Sequence, residues 1–124
     1  MFEFPKKQKL CNETAVKDIF SNGNSFVINP IRLVWKEQVN SDDVVIKSII
    51  VVPKKQLKLA ADRNIVKRRM KEAYRLNKAE IEHFLADKNR QLNVAIVYQN
   101  EKILSYKEIE ERIKLILGRL REEI

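Results

Sequence analysis

The sequence predicts an α/β (α+β) fold with its elements in the order αβββαβα. Three observations carry that prediction. Four apolar segments read as extended chain, the first three in the amino-terminal half and the fourth near Leu92–Tyr98. Segments whose apolar residues recur at helical spacing stand before, between and after them. The 124 residues are enough for one hydrophobic core and not for two, so residues 1–124 are expected to form a single domain.

The elements follow in order. Residues 1–11 form a basic arm through Lys6, Lys7 and Lys9, and Asn12 is a candidate N-cap for a short helix with Ala15, Val16, Ile19 and Phe20 as its apolar face. Asn22-Gly23 is expected to end that helix in a left-handed stop. Ser25 to Val39 turns extended: Phe26-Val27-Ile28, a break at Asn29-Pro30, then Ile31, Leu33 and Trp35 alternating with Arg32, Val34 and Lys36. Asn40 to Asp43 reads as the turn of a hairpin into the next strand. That strand, Val44 to Val52, is apolar on both faces in its second half and is expected to be central.

Pro53 ends the strand, and Lys54 to Ala61 connects it to a helix over Arg63–Arg75 that continues, straight or bent, to about Ala86. Asp62 falls near the positive end of that helix. Asp87 to Gln91 is a polar loop and Leu92 to Tyr98 a buried strand. Ser105-x-x-Glu108 is a capping box that opens a last helix with Tyr106, Ile109, Ile113, Ile116, Leu117 and Leu120 along one side.

Charge is distributed unevenly over this scaffold. The chain has 25 Lys and Arg against 17 Asp and Glu, a net charge of +8. Lys54 to Lys78 holds ten of the basic residues and only Asp62 and Glu72, so the surplus lies entirely in this segment. At about 100° per residue, Arg63, Lys67, Lys71 and Arg75 form a stripe, with Asn64, Arg68 and Lys78 beside it. Stacked like charges weaken a helix, and a phosphate backbone that neutralises them removes the cost while releasing counterions.

Other chemistries find little support. The lone Cys11 permits no internal disulfide and suits a reducing compartment. His83 has no second ligand at metal spacing. Two glycines cannot build a phosphate-binding loop. No apolar run reaches the roughly 20 residues of a membrane span, and the start lacks a signal-peptide pattern, so a cytoplasmic protein is expected.

Arg63-Asn64, Lys67-Arg68 and Glu72-Ala73-Tyr74-Arg75 resemble the Arg-Asn-x-x-Lys-Arg-x-x-x-Glu-Ala-aromatic-Arg signature of the bacterial ribonuclease P protein subunit. Lys54-Lys55 at a strand end and Ile19-Phe20-x-x-Gly23-x-Ser25 are similar to flanking segments of that family. Ile65 stands where the family often has Arg, so that a phosphate contact is either lost or supplied by Arg69, and Val16 stands where it has an aromatic.

The resemblance implies a two-layer sandwich around a central four-stranded sheet, with a left-handed βαβ crossover that the general right-handed rule would not suggest. It implies assistance to a catalytic RNA subunit in endonucleolytic removal of the 5′ leader from precursor tRNA. The chemistry would lie on the RNA with Mg2+ bound mainly there, and no protein residue would be catalytic. Carried onto this chain, Lys54, Lys55, Arg63, Asn64, Lys67, Arg68, Lys71 and Arg75 would contact the RNA subunit. Phe20, Arg32 and Lys36 would line a cleft for the precursor's leader. No membrane and no small-molecule substrate is expected. A ribosomal or architectural RNA-binding protein is the alternative, and a self-sufficient nuclease is disfavoured by the missing catalytic cluster.

Overall fold

The computed structural model describes residues 13–39 and 44–124. The basic arm, Cys11, the Asn12 cap and the Asn40–Asp43 turn lie outside the described residues. The elements are α1 (Glu13–Asn22), β1 (Asn24–Ile28), β2 (Ile31–Glu37), β3 (Ile46–Val51), α2 (Ala60–Asn77), α3 (Ala79–Asp87), β4 (Leu92–Tyr98) and α4 (Tyr106–Glu123).

The strands form one mixed sheet in the order β1-β2-β4-β3. β1 and β2 form an antiparallel hairpin through a cis Asn29-Pro30 peptide. β2 runs antiparallel to β4, and β3 runs parallel to it, so β3–α2–α3–β4 is a crossover between adjacent parallel strands. This corrects two expectations. β2 and β3 do not pair as a hairpin, because β4 lies between them, and β3 is an edge strand, not a central one. The cause is visible in side-chain burial: β3 alternates between buried and half-buried residues, whereas all seven residues of β4 are buried. A strand apolar on both faces gains most where it is covered on both faces and paired on both edges.

Helices α2, α3 and α4 cover one face of the sheet. Phe26, Ile31, Leu33, Ile46, Ile50, Leu92, Val94 and Ile96 meet Val66, Met70, Ala73, Tyr74, Ile81 and Leu85 there. The stripe expected on α4 is buried from Ile109 to Leu120. Each such side chain contributes about 1.5–3 kcal/mol of apolar transfer. Ser105 caps α4 as expected, its Oγ accepting the Glu108 N–H at 3.2 Å. The other face carries a small cluster of Ile19, Val34 and Ala95 under α1.

The long helical region is divided, giving the order αβββααβα. Lys78 keeps right-handed torsions (φ −81°, ψ −13°), so the chain bends there without unwinding. Asn77 Nδ2 donates to the Ala73 carbonyl at 2.7 Å, a side-chain bond of the kind that competes with helix continuation. The left-handed stop falls at Asn89 (φ 55°), after α3, and not at Gly23. Gly23 is needed for a different reason. A Cβ there would lie 2.4 Å from the Ile19 carbonyl oxygen and 2.8 Å from that of Trp35, so the end of α1 touches β2 backbone to backbone.

Candidate nucleic-acid interface

The basic residues of α2 are sorted by the helix itself. Val66, Met70, Ala73 and Tyr74 are buried, so the aromatic of the signature serves the core: burial raises the Tyr74 phenol pKa, partly offset by the Ser48 hydroxyl beside it. Lys67, Lys71, Asn64, Arg75 and Arg68 fall within an arc of roughly 100° on the outer side. Asn64, Arg68 and Arg75 are exposed and Lys67 and Lys71 half-buried. Among the described residues, Asn64, Lys67, Arg68 and Lys71 make no side-chain hydrogen bond or ion pair. Arg75 is held by Glu72, whose carboxylate also raises its pKa.

Two other arginines of the segment do work inside the fold. Arg63 Nη1 donates to the carbonyls of Leu57 and Lys58, at 2.8 Å each. With Leu57 buried in the core and the Gln56 N–H on the Pro53 carbonyl, these bonds shape the turn that exposes Lys54 and Lys55. Arg69 Nη1 donates to the Leu104 carbonyl at 2.6 Å and so faces the β4–α4 loop. Like Ile65, Arg69 lies off the basic arc.

A second surface lies on the α1 face. The strand register sets three rows across the sheet there: Lys36, Asn93 and Lys47; Ser25, Val34, Ala95 and Ile49; and Val27, Arg32, Val97 and Val51. α1 packs over the middle row. The last row extends to Val27, which is 49% exposed. Phe20 is 41% exposed on the flank of α1 away from Asp18, so it is not a core residue. Arg32 and Lys36 share this face, as alternation predicted. Lys36 is tied to α1 by an ion pair with Asp18 at 2.5 Å, which lowers the Asp18 pKa, and Arg32 reaches Ser25 Oγ at 3.5 Å. Val27, Val51 and Val97 were missed in the sequence because which side chains line up across a sheet depends on strand order.

Among the described residues, no group of three or more His, Cys, Asp or Glu could hold a metal ion, and no helix is long and apolar enough to cross a membrane.

Sheet, crossover and one-sided helix together define an α/β sandwich protein with a concentrated cationic face on one helix. The model of the family described as Ribonuclease P matches residues 4–121. The chain belongs to the ribonuclease P protein family. It is 26% identical over 119 residues to the ribonuclease P protein component of Porphyromonas gingivalis, covering 96% of this chain and 87% of that protein. The fold is similar to that of the Staphylococcus aureus RNase P protein, with a TM-score of 0.72, 18% identity and coverage of 91% of this chain and 94% of that one. For the Thermotoga maritima RNase P protein the TM-score is 0.70 at 21% identity, with 90% and 96% covered. The chain is thus the protein component of the RNase P ribonucleoprotein endoribonuclease and aids 5′ processing of precursor tRNA. Its family implies the RNA subunit and precursor tRNA as partners.

Proposed function

We propose that the outer face of α2 grips the phosphates of the RNA subunit through Asn64, Lys67, Arg68, Lys71 and Arg75. Lys54, Lys55 and Arg63 extend that contact at the preceding turn. The observation that carries this reading is the arc of cations on α2, where Lys67, Arg68 and Lys71 have no partner among the described residues. Guanidinium groups suit phosphate because they donate paired hydrogen bonds in a fixed plane. In this reading Mg2+ and the hydrolytic chemistry belong to the RNA subunit, a division supported by the family; among the described residues no group of three or more His, Cys, Asp or Glu could hold a metal ion. The protein acts in the cytoplasm.

The test compares two charge reversals. Arg68→Glu is expected to weaken binding to the RNA subunit by about 10- to 100-fold, the worth of a hydrogen bond to a charged group. The dependence of log affinity on log salt should flatten by roughly one unit. Arg112→Glu, an equal change on exposed α4, should cost far less. Equal losses for the two variants would show that net charge alone matters.

The leader of the precursor lies along the α1 face, with an unpaired base against Phe20 and its backbone near Arg32, while Lys36, paired with Asp18 on the other flank of α1, adds positive charge across the helix. An exposed aromatic face beside a basic, half-open apolar row supports that placement, since stacking accepts any base. Phe20→Ala should leave RNA-subunit affinity unchanged while reducing the preference for precursor over mature tRNA by about 1–3 kcal/mol. Paired binding titrations measure it, and an unchanged preference would remove Phe20 from the leader site.

A further inference from the structure

Of the two carboxylates on α2, Asp62 lies in the first turn and Glu72 stands among the cations suited to hold a polyanion. Glu72 lies at the α4-side border of the basic arc, one turn from Arg68 and Arg75. Its Oε1 accepts from Arg75 Nη2 at 2.8 Å and its Oε2 accepts from Arg75 Nε at 3.2 Å. The Glu72 side chain is 17% exposed, against 41% for Arg75, so the acid sits inward and the guanidinium outward. Tyr106 lies close enough to feel both charges. Its hydroxyl and Asn77 Nδ2 donate to Glu110 Oε2 at 3.1 and 3.3 Å, which holds the ring at the helix junction beside the pair.

We propose that Glu72 is a positioning residue for RNA binding: by clamping the Nε–Nη2 edge of Arg75 it presents that guanidinium to phosphate in a set orientation. Two opposed effects decide the sign. A bare carboxylate near phosphate repels it, which favours removing Glu72. A clamped arginine has already lost the rotamer freedom that a loose one loses on binding, which favours keeping it. Glu72 is inward and its charge is matched by Arg75 at hydrogen-bond distance, so the repulsion is damped while the ordering remains. Glu72 therefore strengthens RNA-subunit binding despite its charge.

The inference rests on Arg75 being an RNA contact, and the experiment separates the two. Binding to the RNA subunit is measured for the wild-type protein, Glu72→Gln, Arg75→Ala and the double variant, with single-stranded poly(U) as an unstructured polyanion and melting temperatures as a check on folding. Glu72→Gln raises the net charge by one and should bind poly(U) at least as tightly. It should nevertheless bind the RNA subunit about two- to fivefold more weakly, in the range of exposed ion pairs. In the Arg75→Ala background the same change should no longer weaken binding. RNA-subunit affinity of Glu72→Gln equal to or above wild type would overturn the proposal, as would an undiminished loss in the Arg75→Ala background. Wild-type affinity for Arg75→Ala itself would instead overturn the contact assignment, and the inference with it.

Discussion

Freed of RNA, the protein will leave precursor tRNA uncut at any magnesium concentration, and addition of the cognate RNA subunit will bring cleavage at the 5′ side at physiological salt. Phosphodiester hydrolysis by a protein needs metal ions held by clustered ligands, or a positioned base, to activate water and stabilise the leaving oxygen. Among the described residues no such ligand group exists, and His83 stands exposed on α3. The protein supplies positive charge instead, with its +8 concentrated around α2. Enzymatic accelerations are commonly about a millionfold or more, so the contrast should be all-or-none with end-labelled precursor. Site-specific cleavage by rigorously RNA-free protein would overturn this division of labour.

The largest expected loss of stability from a single methyl group is at Gly23. Gly23→Ala would bring a Cβ within 2.4 Å of the Ile19 oxygen and 2.8 Å of the Trp35 oxygen, both backbone atoms. Neither can rotate away: relief of the Ile19 contact requires the backbone at the end of α1 to change, and relief of the Trp35 contact requires that end to lift from β2 or the strand to shift. The cost should be roughly 3 kcal/mol, at the upper end for overpacking, and should lower the melting temperature by about 10 °C. The damage should also be selective. α1 covers the face assigned to the leader, whereas α2 is anchored on the opposite face, so discrimination of precursor from mature tRNA should fall more than affinity for the RNA subunit. Thermal melting with paired binding measurements will show it. A variant as stable as wild type would mean that the α1–β2 contact yields easily.

Local features of the fold were legible in the sequence where they depend on neighbours along the chain. Ser105 capping α4, the buried stripe from Ile109 to Leu120 and the basic arc of α2 all follow from spacings of three and four residues. What escaped depends on long-range pairing. Alternation along β2 places Arg32 and Lys36 together but cannot say that β4, and not β3, lies beside them. Nor could spacing show that Arg63 and Arg69 bond to carbonyls 5 and 35 residues away, while Lys67 and Arg68 between them do not. The bend at Lys78 lacked the usual signal, since no Gly or Pro marks it. Gly23 was legible as a glycine that matters, but a close backbone approach and a left-handed turn leave the same letter in a sequence.

The position of β4 also orders events during synthesis. It pairs with β2 on one side and β3 on the other, yet it is the last strand to be made. Until Tyr98 has left the ribosome, the β1–β2 hairpin and β3 have nothing to join them. The nascent chain therefore carries a complete, strongly cationic helix attached to an unfinished sheet for the time taken to translate about twenty further residues, a matter of seconds. Closure comes late and through contacts distant in sequence, which slows folding relative to a helical bundle of the same length. A ribonucleoprotein that needs this subunit thus assembles from a chain whose RNA-gripping helix exists, in sequence terms, before the platform that will aim it.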